Sequence, residues 1–300
     1  MMMLLALLAA SAAAQIQVEV AMECDTCVVF NNACYNATHL FDLDAPFRNT
    51  IVIHKMAILN SDDIMYYSFE PNIDDEEYYK VAFVNMNDTS ISGVITGGPQ
   101  LIMNFGTFDI DQEHKHLYLG GVDGIYLLNL NNNKVTPYSS RGDEITSIFY
   151  KNYVYFVRYD DRGIVVKKGD NFKTLLEYIP VKKFVVTKND VIVFLSSYGL
   201  YVAKGELKFR LSINAFFRGL TMDKYGEVYA WWIDGIYRVV IEKNLIKSKI
   251  EKVAHMTSIG TMTFDKNNYL IFTLDRSLLN FLLELYKCGI VRSFLIVPFL

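Results

Sequence analysis

The sequence predicts an all-β fold, a six-bladed β-propeller of four-stranded blades with an N-terminal cysteine-containing segment. Three observations lead to this prediction. A unit of about 40 residues recurs along the chain, its strands are rich in β-branched and aromatic residues, and stretches with a helical period are scarce. The 300 residues are 52% hydrophobic, which excludes a largely disordered chain.

Each repeat contains a strand that usually opens on glycine followed by isoleucine or leucine. An earlier, degenerate copy spans residues 51–87, which brings the expected number of blades to six. Closing a ring protects strand edges and buries the apolar face of every blade. A β-sandwich of similar strand count is the alternative. The aligned positions lie 39, 36, 36 and 42 residues apart and are Ile125, Ile164, Leu200, Ile236 and Leu278.

The chain divides into four parts by composition. Residues 1–14 contain an uncharged apolar run followed by small residues, which is typical of a secretory signal peptide, with a buried N-terminal helix as the alternative. Residues 15–45 form the cysteine-containing segment, 46–284 the propeller, and 285–300 an apolar tail that departs from the repeat. No other stretch is long and apolar enough to span a bilayer, so we expect a secreted, extracellular protein. We also expect a monomer.

The cysteines fit an oxidising compartment. We expect a disulfide between Cys24 and Cys34, ahead of Cys27 with Cys34, while Cys288 pairs with the remaining cysteine or stays free. A zinc site would need a second ligand pair and a redox motif a βαβ context, and the sequence shows neither. Two Asn-x-Thr glycosylation sequons agree with secretion. Their acceptors are Asn36 and Asn87.

Binding residues are expected on one face of the ring. In a propeller, the loops that enter the first strand of a blade share a face with the loops that join its second and third strands, and such loops commonly carry function. Aromatic side chains with a nearby arginine suit a flat, anionic, conjugated molecule. The alternative is that these side chains plug the channel. The predicted ligand-binding residues are Arg158, Tyr198, Phe216, Phe217, Arg218, Trp231 and Trp232.

No catalytic constellation is present in the sequence. It lacks a Ser-His-Asp order, a glycine-rich phosphate loop and an HExxH motif, so we expect a non-enzymatic protein with no cofactor and no metal. His114 and His116 share a strand face but lack a third ligand. The net charge of −4 argues against nucleic acid as a partner. Four aspartates recur near the loops, and we expect them to form turns rather than to bind a metal. They are Asp123, Asp160, Asp161 and Asp234.

Four segments together resemble the insect ommochrome-binding proteins. These are residues 42–47 (DLDAPF), 117–126 (LYLGGVDGIY), 196–201 (SSYGLY) and 234–237 (DGIY), together with the cysteine cluster. The resemblance covers roughly residues 24 to 275 and implies a secreted haemolymph carrier of a tryptophan-derived pigment, an ommochrome. The alternatives are an SMP30-like metal-dependent hydrolase or lactonase, and a propeller that docks a protein partner.

Overall fold

The structure is a computed structural model that describes residues 28–31, 33–42, 52–70, 79–95, 104–274 and 277–282. Within these ranges it contains twenty-five strands and one helical segment, the 3₁₀ turn Leu245–Lys247. Nowhere among these residues is there a helix long and apolar enough to cross a membrane. The fold is therefore all-β over the described part of the chain, as the sequence predicts.

Four of the sheets are antiparallel and four-stranded, each formed by consecutive strands. The first contains β3 (Ile53–Leu59), β4 (Ile64–Phe69), β5 (Lys80–Asn85) and β6 (Ser92–Val94). The second contains β7 (Phe105–Asp111), β8 (His116–Gly121), β9 (Gly124–Asn129) and β10 (Lys134–Ser139). The third contains β11 (Ile145–Lys151), β12 (Tyr153–Arg158), β13 (Ile164–Lys168) and β14 (Asn171–Leu175). The fourth contains β15 (Val181–Val186), β16 (Ile192–Ser196), β17 (Gly199–Lys204) and β18 (Leu207–Ser212).

The fifth sheet has nine strands and joins the two ends of the described chain. Its first half contains β19 (Gly219–Met222), β20 (Val228–Trp232), β21 (Gly235–Val240) and β22 (Lys249–Ala254). Its second half contains β23 (Met262–Phe264), β24 (Leu270–Leu274) and β25 (Ser277–Leu282). The hairpin of β1 (Val28–Phe30) and β2 (Ala33–Asp42) lies between the halves, with β1 beside β22 and β2 beside β25.

This sheet corrects the expected count of separate blades. The sequence predicts six, whereas the structure has five sheets, because the hairpin β1–β2 links the last two repeats through the backbone pair Phe30–Ala254. The repeats themselves still surround one axis. The first strands of the repeats contact one another in the cyclic order β3, β7, β11, β15, β19, β23 and back to β3.

The N-terminal strand closes the ring. Strand β2 pairs antiparallel with β25 from Asn36–Leu282 to Asp42–Ser277, and it thereby becomes the outer strand of the last repeat. The sequence leaves open whether the ring closes in this way or by sequential repeats. The hairpin of β1 and β2 thus joins the start of the described chain to its last two repeats, and β2 covers the edge of β25.

The aligned positions of the repeats form the core. Ile125, Ile164, Leu200 and Ile236 have no accessible surface, as expected for one recurrent packing position. Burying one such side chain contributes about 1.5–3 kcal/mol. The preceding glycine supplies a left-handed turn, as at Gly199 with φ of 124°. Many aromatic residues are also core residues. Those with less than 2% exposure are Phe69, Phe108, Phe156, Phe194 and Phe272.

Several expectations from the sequence fall outside the described residues. These are the signal peptide at 1–14, the cysteines at 24, 27 and 288 and hence the disulfide between Cys24 and Cys34, and the tail at 285–300. Asn36 lies on β2, where its backbone pairs with Leu282. Asn87 is exposed in the turn after β5 and donates a side-chain hydrogen bond to Asp63. Glycosylation at both asparagines stays a prediction.

Candidate functional site

The first strands of the repeats enclose a channel along the axis of the ring. Its cavity has a volume of about 460 Å³, and all of these strands contribute to its lining. Sites for small organic molecules commonly have volumes of about 300–1,000 Å³. The channel is therefore the candidate functional site.

Four of the channel strands carry the same irregularity near their starts. The register of β3, β7, β11 and β15 against the following strand shifts by one residue, which is the pattern of a β-bulge. A bulge re-aims the side chains beside it. The residues that follow the bulges are Lys55, Thr107, Ser147 and Lys183, and all of them line the cavity. Equivalent positions in successive repeats thus bring two ammonium groups and two hydroxyls into the channel.

Lys55 is held by groups from two neighbouring repeats. Its Nζ lies 3.1 Å from Oδ1 of Asp109 on β7 and donates a hydrogen bond of 3.0 Å to the backbone oxygen of Ile148 on β11. Oδ2 of Asp109 in turn accepts a hydrogen bond of 2.6 Å from the backbone N–H of Tyr150. The charge of Lys55 is therefore balanced within the protein.

Lys183 lies across the ring from Lys55, three strands further round. Its Nζ donates a hydrogen bond of 3.3 Å to the backbone oxygen of His54, and it has no ion pair among the described residues. The half-buried side chain lines the cavity. Burial, with a smaller contribution from the ammonium of Lys55, lowers the pKa of Lys183 to about 8. Among the residues that the structure describes, no carboxylate therefore offsets the desolvation of this lysine.

His54 lies beside this lysine and is the extra residue of the β3 bulge. Its Nε2 lies 2.7 Å from Oε1 of Glu70, and its ring meets Tyr79 edge-on with the centroids 5.4 Å apart. Burial lowers the pKa of His54 below 6.5; Glu70 opposes this shift and the ammonium of Lys183 adds to it. The imidazole is therefore neutral at pH 7, which leaves the lysines as the channel cations in this region.

Most carboxylates along the cavity form hydrogen bonds or ion pairs within the protein. Besides Asp109, Asp223 accepts hydrogen bonds from the backbone N–H groups of Tyr225 and Glu227 in one turn. Asp265 does the same in the equivalent turn of the last repeat, with backbone N–H groups at positions 267 and 269. Glu144 also lines the cavity and is exposed.

A metal site requires a different arrangement. Within the described ranges, no three His, Cys, Asp or Glu side chains lie close enough together to hold a metal ion. The metal-dependent lactonase alternative needs such a set of ligands. The side chains that this structure describes do not fit it.

Of the predicted aromatic residues, Phe216 lies between β18 and β19 and Tyr198 between β16 and β17, whereas Trp231 and Trp232 are the last two residues of β20. Phe216 is 73% exposed and stacks on Trp232 with the ring centroids 6.5 Å apart. Tyr198 is 63% exposed in the turn between β16 and β17. Trp231 points the other way and is 3% exposed; its Nε1 donates a hydrogen bond of 3.2 Å to the backbone oxygen of Gly260. One tryptophan thus faces the interior, and the other lies on the surface stack.

The remaining predicted residues have partners within the fold. Phe217 is buried and packs edge-on against Tyr237 with the centroids 5.5 Å apart. Nη1 of Arg218 donates a hydrogen bond of 2.9 Å to the backbone oxygen of Ile259. Nε of Arg158 lies 2.9 Å from Oδ2 of Asp143. Of the seven residues predicted to bind ligand, all of which the structure describes, Trp231 alone lines the cavity.

Sequence reasoning misses the lysines of the channel. The signal is present, because residues 181–186 read VKKFVV, a strand of apolar residues interrupted by two lysines. Alternation in a regular strand would send one lysine to each face. In the structure Lys182 is exposed and Lys183 lines the channel, directly after the register shift in β15. The bulge is not visible in a single sequence.

Other motifs are explained by the fold. His114 binds Asp111 through Nδ1 at 2.8 Å and stacks on His116 with the centroids 5.9 Å apart. Within residues 141–143 (RGD), Arg141 pairs with Asp123, and Asp143 pairs with Arg158.

Comparisons with known proteins identify the fold of this chain but do not assign it to a family. No protein-family model matches the chain, and no curated protein shows significant similarity to it. Solved structures do match. A gluconolactonase from Xanthomonas campestris is 9% identical with a TM-score of 0.62, and the match covers 87% of this chain and 95% of that one.

Two further structures give a similar match. A streptogramin B lyase is 11% identical with a TM-score of 0.55, over 83% of this chain and 98% of the other. The WD40 repeats of RRP9 are 9% identical with a TM-score of 0.54, over 80% and 99%. At this identity the matches establish a β-propeller and nothing finer.

Proposed function

We propose that this propeller binds a small organic anion in its central channel, with the carboxylate of the ligand at Lys183. The observation that supports the proposal is the position of Lys183, which lines the cavity without an ion pair among the described residues. An ammonium group withdrawn from bulk water is stabilised by an opposite charge. Lys55 adds a second positive charge, and its ion pair with Asp109 does not use all three of its N–H donors.

The resemblance to ommochrome-binding proteins suggests an aromatic acid as one class of ligand. Trp231 provides an aromatic wall to the cavity, and Phe216 with Trp232 forms a stacked pair on the neighbouring loops. A secreted carrier of a tryptophan-derived pigment remains the specific form of this proposal. The similar solved structures do not support the pigment itself.

Hydrolysis of a lactone is the second candidate, and the named activities of similar structures favour it. Attack on a lactone carbonyl develops negative charge on oxygen, and a fixed ammonium group stabilises that charge. Lys183 is placed to do this in the channel. Since the described residues do not fit a metal site, this candidate involves the lysine alone and no step through a metal.

The binding proposal is tested with residues 15–300 and three named probes: benzoate, kynurenate and gluconate. Isothermal titration at pH 7 and low salt should give saturable binding of one or more of these. Lys183→Gln should weaken that binding at least tenfold, which corresponds to about 1.4 kcal/mol. Lys182→Gln is the matched control, because it removes an exposed charge from the adjacent position. Equal affinity in both variants, or no binding of any probe, contradicts the proposal.

The hydrolase candidate is tested separately with glucono-δ-lactone. The release of acid is measured by titration at constant pH. The wild-type protein should release acid faster than the uncatalysed reaction, and Lys183→Gln should not. If the protein binds gluconate but does not accelerate lactone opening, the hydrolase candidate is wrong and the binding proposal stands. Acceleration that EDTA abolishes would require a metal site outside the described residues.

A further inference from the structure

We propose that Lys183 forms an imine with the carbonyl group of a small 2-oxo acid in the channel. This inference rests on the proposed function and narrows the class of ligand: Lys55 holds the carboxylate of a 2-oxo acid, and Lys183, which pairs with the carboxylate of an unreactive anion, reacts with the adjacent carbonyl instead. Neither the similar structures nor the resemblance of the sequence assigns such a reaction.

The surroundings of Lys183 suit a nucleophilic amine. A lysine becomes nucleophilic when it loses its proton, and a paired carboxylate opposes that loss. Lys183 has only the backbone oxygen of His54 as a hydrogen-bond partner among the described residues. Among the described residues, the titratable groups that interact with Lys183 are Lys55 and His54. The channel carboxylate of Asp109 pairs with Lys55 and accepts a hydrogen bond from the backbone N–H of Tyr150.

Burial and the charge of Lys55 both favour the unprotonated form of the Lys183 amine. They lower the pKa of Lys183 to about 8, so a large fraction is unprotonated in mildly alkaline solution. A surface lysine with a pKa near 10.4 has about a hundredfold less free amine at pH 8. The cavity of about 460 Å³ leaves space next to Nζ for a small ligand.

The channel also provides for the carboxylate of a 2-oxo acid. Lys55 retains an N–H donor beyond those bonded to Asp109 and Ile148. The hydroxyls of Thr107 and Ser147 follow the equivalent bulges and line the same cavity. A carboxylate at Lys55 would bring the neighbouring carbonyl carbon close to Lys183, because the Nζ of Lys183 reaches the backbone oxygen of His54, the residue before Lys55.

The reaction balances without an added oxidant or reductant. The lone pair of Nζ attacks the carbonyl carbon to form a C–N bond and a carbinolamine. The C–O bond then breaks, and the oxygen leaves as water with the two protons of the amine. The product is an imine, which is positively charged when it binds a proton.

The experiment traps this imine with pyruvate and sodium cyanoborohydride at pH 8. Hydride from the reagent reduces the imine to a stable secondary amine, and peptide mapping by mass spectrometry locates it. We expect a single adduct at Lys183 that forms roughly tenfold or more faster than at any other lysine. Lactate, which has a hydroxyl in place of the carbonyl, should bind without an adduct. Lys182→Gln should be labelled like the wild type.

Binding and adduct formation are measured separately on the wild type, so that this inference and the proposed function can fail independently: a thermal-shift assay reports pyruvate binding, and peptide mapping reports the adduct. Lys183→Arg keeps the positive charge but lacks a nucleophilic amine, and it should lose the adduct. Pyruvate binding to the wild type without an adduct overturns the imine and leaves anion binding intact. Neither binding nor adduct overturns both. Equal labelling of Lys182 and Lys183 also overturns the imine proposal.

Discussion

Nζ of Lys183 donates a hydrogen bond of 3.3 Å to the backbone oxygen of His54, and these residues lie on strands at opposite sides of the ring. The contact joins positions 129 residues apart in the sequence. Both β3 and β15 carry a bulge at or next to the contact residue. The channel is thus crossed by a lysine that forms no ion pair within the described part of the chain.

The stability of the protein should depend on the ionisation of Lys183. The pKa of Lys183 is lowered to about 8 in the folded state, whereas an unfolded lysine titrates near 10.4. The unfolded state therefore binds more protons between these values, so stability rises with pH across this window. Relative to Lys183→Met, the wild type should gain about 1–3 kcal/mol from pH 7.5 to pH 10.5.

The measurement is urea unfolding of both proteins at several pH values. Taking the difference between them removes the contribution of the tyrosines, which titrate in the same range. Lys182→Met serves as the control and should follow the wild type. A difference that stays constant with pH would show that Lys183 keeps an ordinary pKa in the folded protein.

The pKa of His54 should depend on its two charged neighbours, Glu70 and Lys183. Glu70 raises the pKa of His54, and Lys183 lowers it. Glu70→Gln should therefore move the His54 midpoint to lower pH, and Lys183→Met should move it to higher pH. NMR titration of the imidazole resonances measures both shifts, with His114 as the internal reference. Shifts in the same direction for both variants would contradict the arrangement in the channel.

The tryptophans should distinguish a channel site from a loop site. Trp231 lines the cavity, whereas Trp232 stacks on Phe216 at the surface. A chromophore bound in the channel, with xanthommatin as the probe, should quench Trp231 more strongly because it lies closer. Trp232→Phe should therefore retain most of the quenching, and Trp231→Phe should lose most of it. The reverse result would place the ligand at the aromatic loops instead.

The left-handed turn at Gly199 should resist substitution. Gly199 has φ of 124°, and a Cβ there would overlap the backbone oxygen of Ser212. Gly205 has φ of 58°, and no atom lies within 4 Å of its Cβ position. Gly199→Ala should cost about 2 kcal/mol or more beyond Gly205→Ala, since only the first adds a backbone clash to the cost of the left-handed conformation. Thermal unfolding of both variants measures this difference.

The repeat determined much of this architecture from the sequence alone. Ile125, Ile164, Leu200 and Ile236 recur at nearly constant spacing, and the structure buries all four completely. Period-2 patterning and the glycine turns suffice for this, because both act between neighbours in the chain. For the same reason, the sequence predicts Phe216 and Trp232 on one face, and their rings stack in the structure.

Tertiary structure decided how the ring closes and what the channel contains. Strand β2 pairs with β25, and β1 of the same hairpin pairs with β22, so that the last two repeats form one sheet of nine strands. Lys183 follows the bulge in β15 and lines the channel, where its Nζ contacts the backbone oxygen of His54. Both features depend on contacts between residues far apart in sequence, and local patterning carries no record of such contacts.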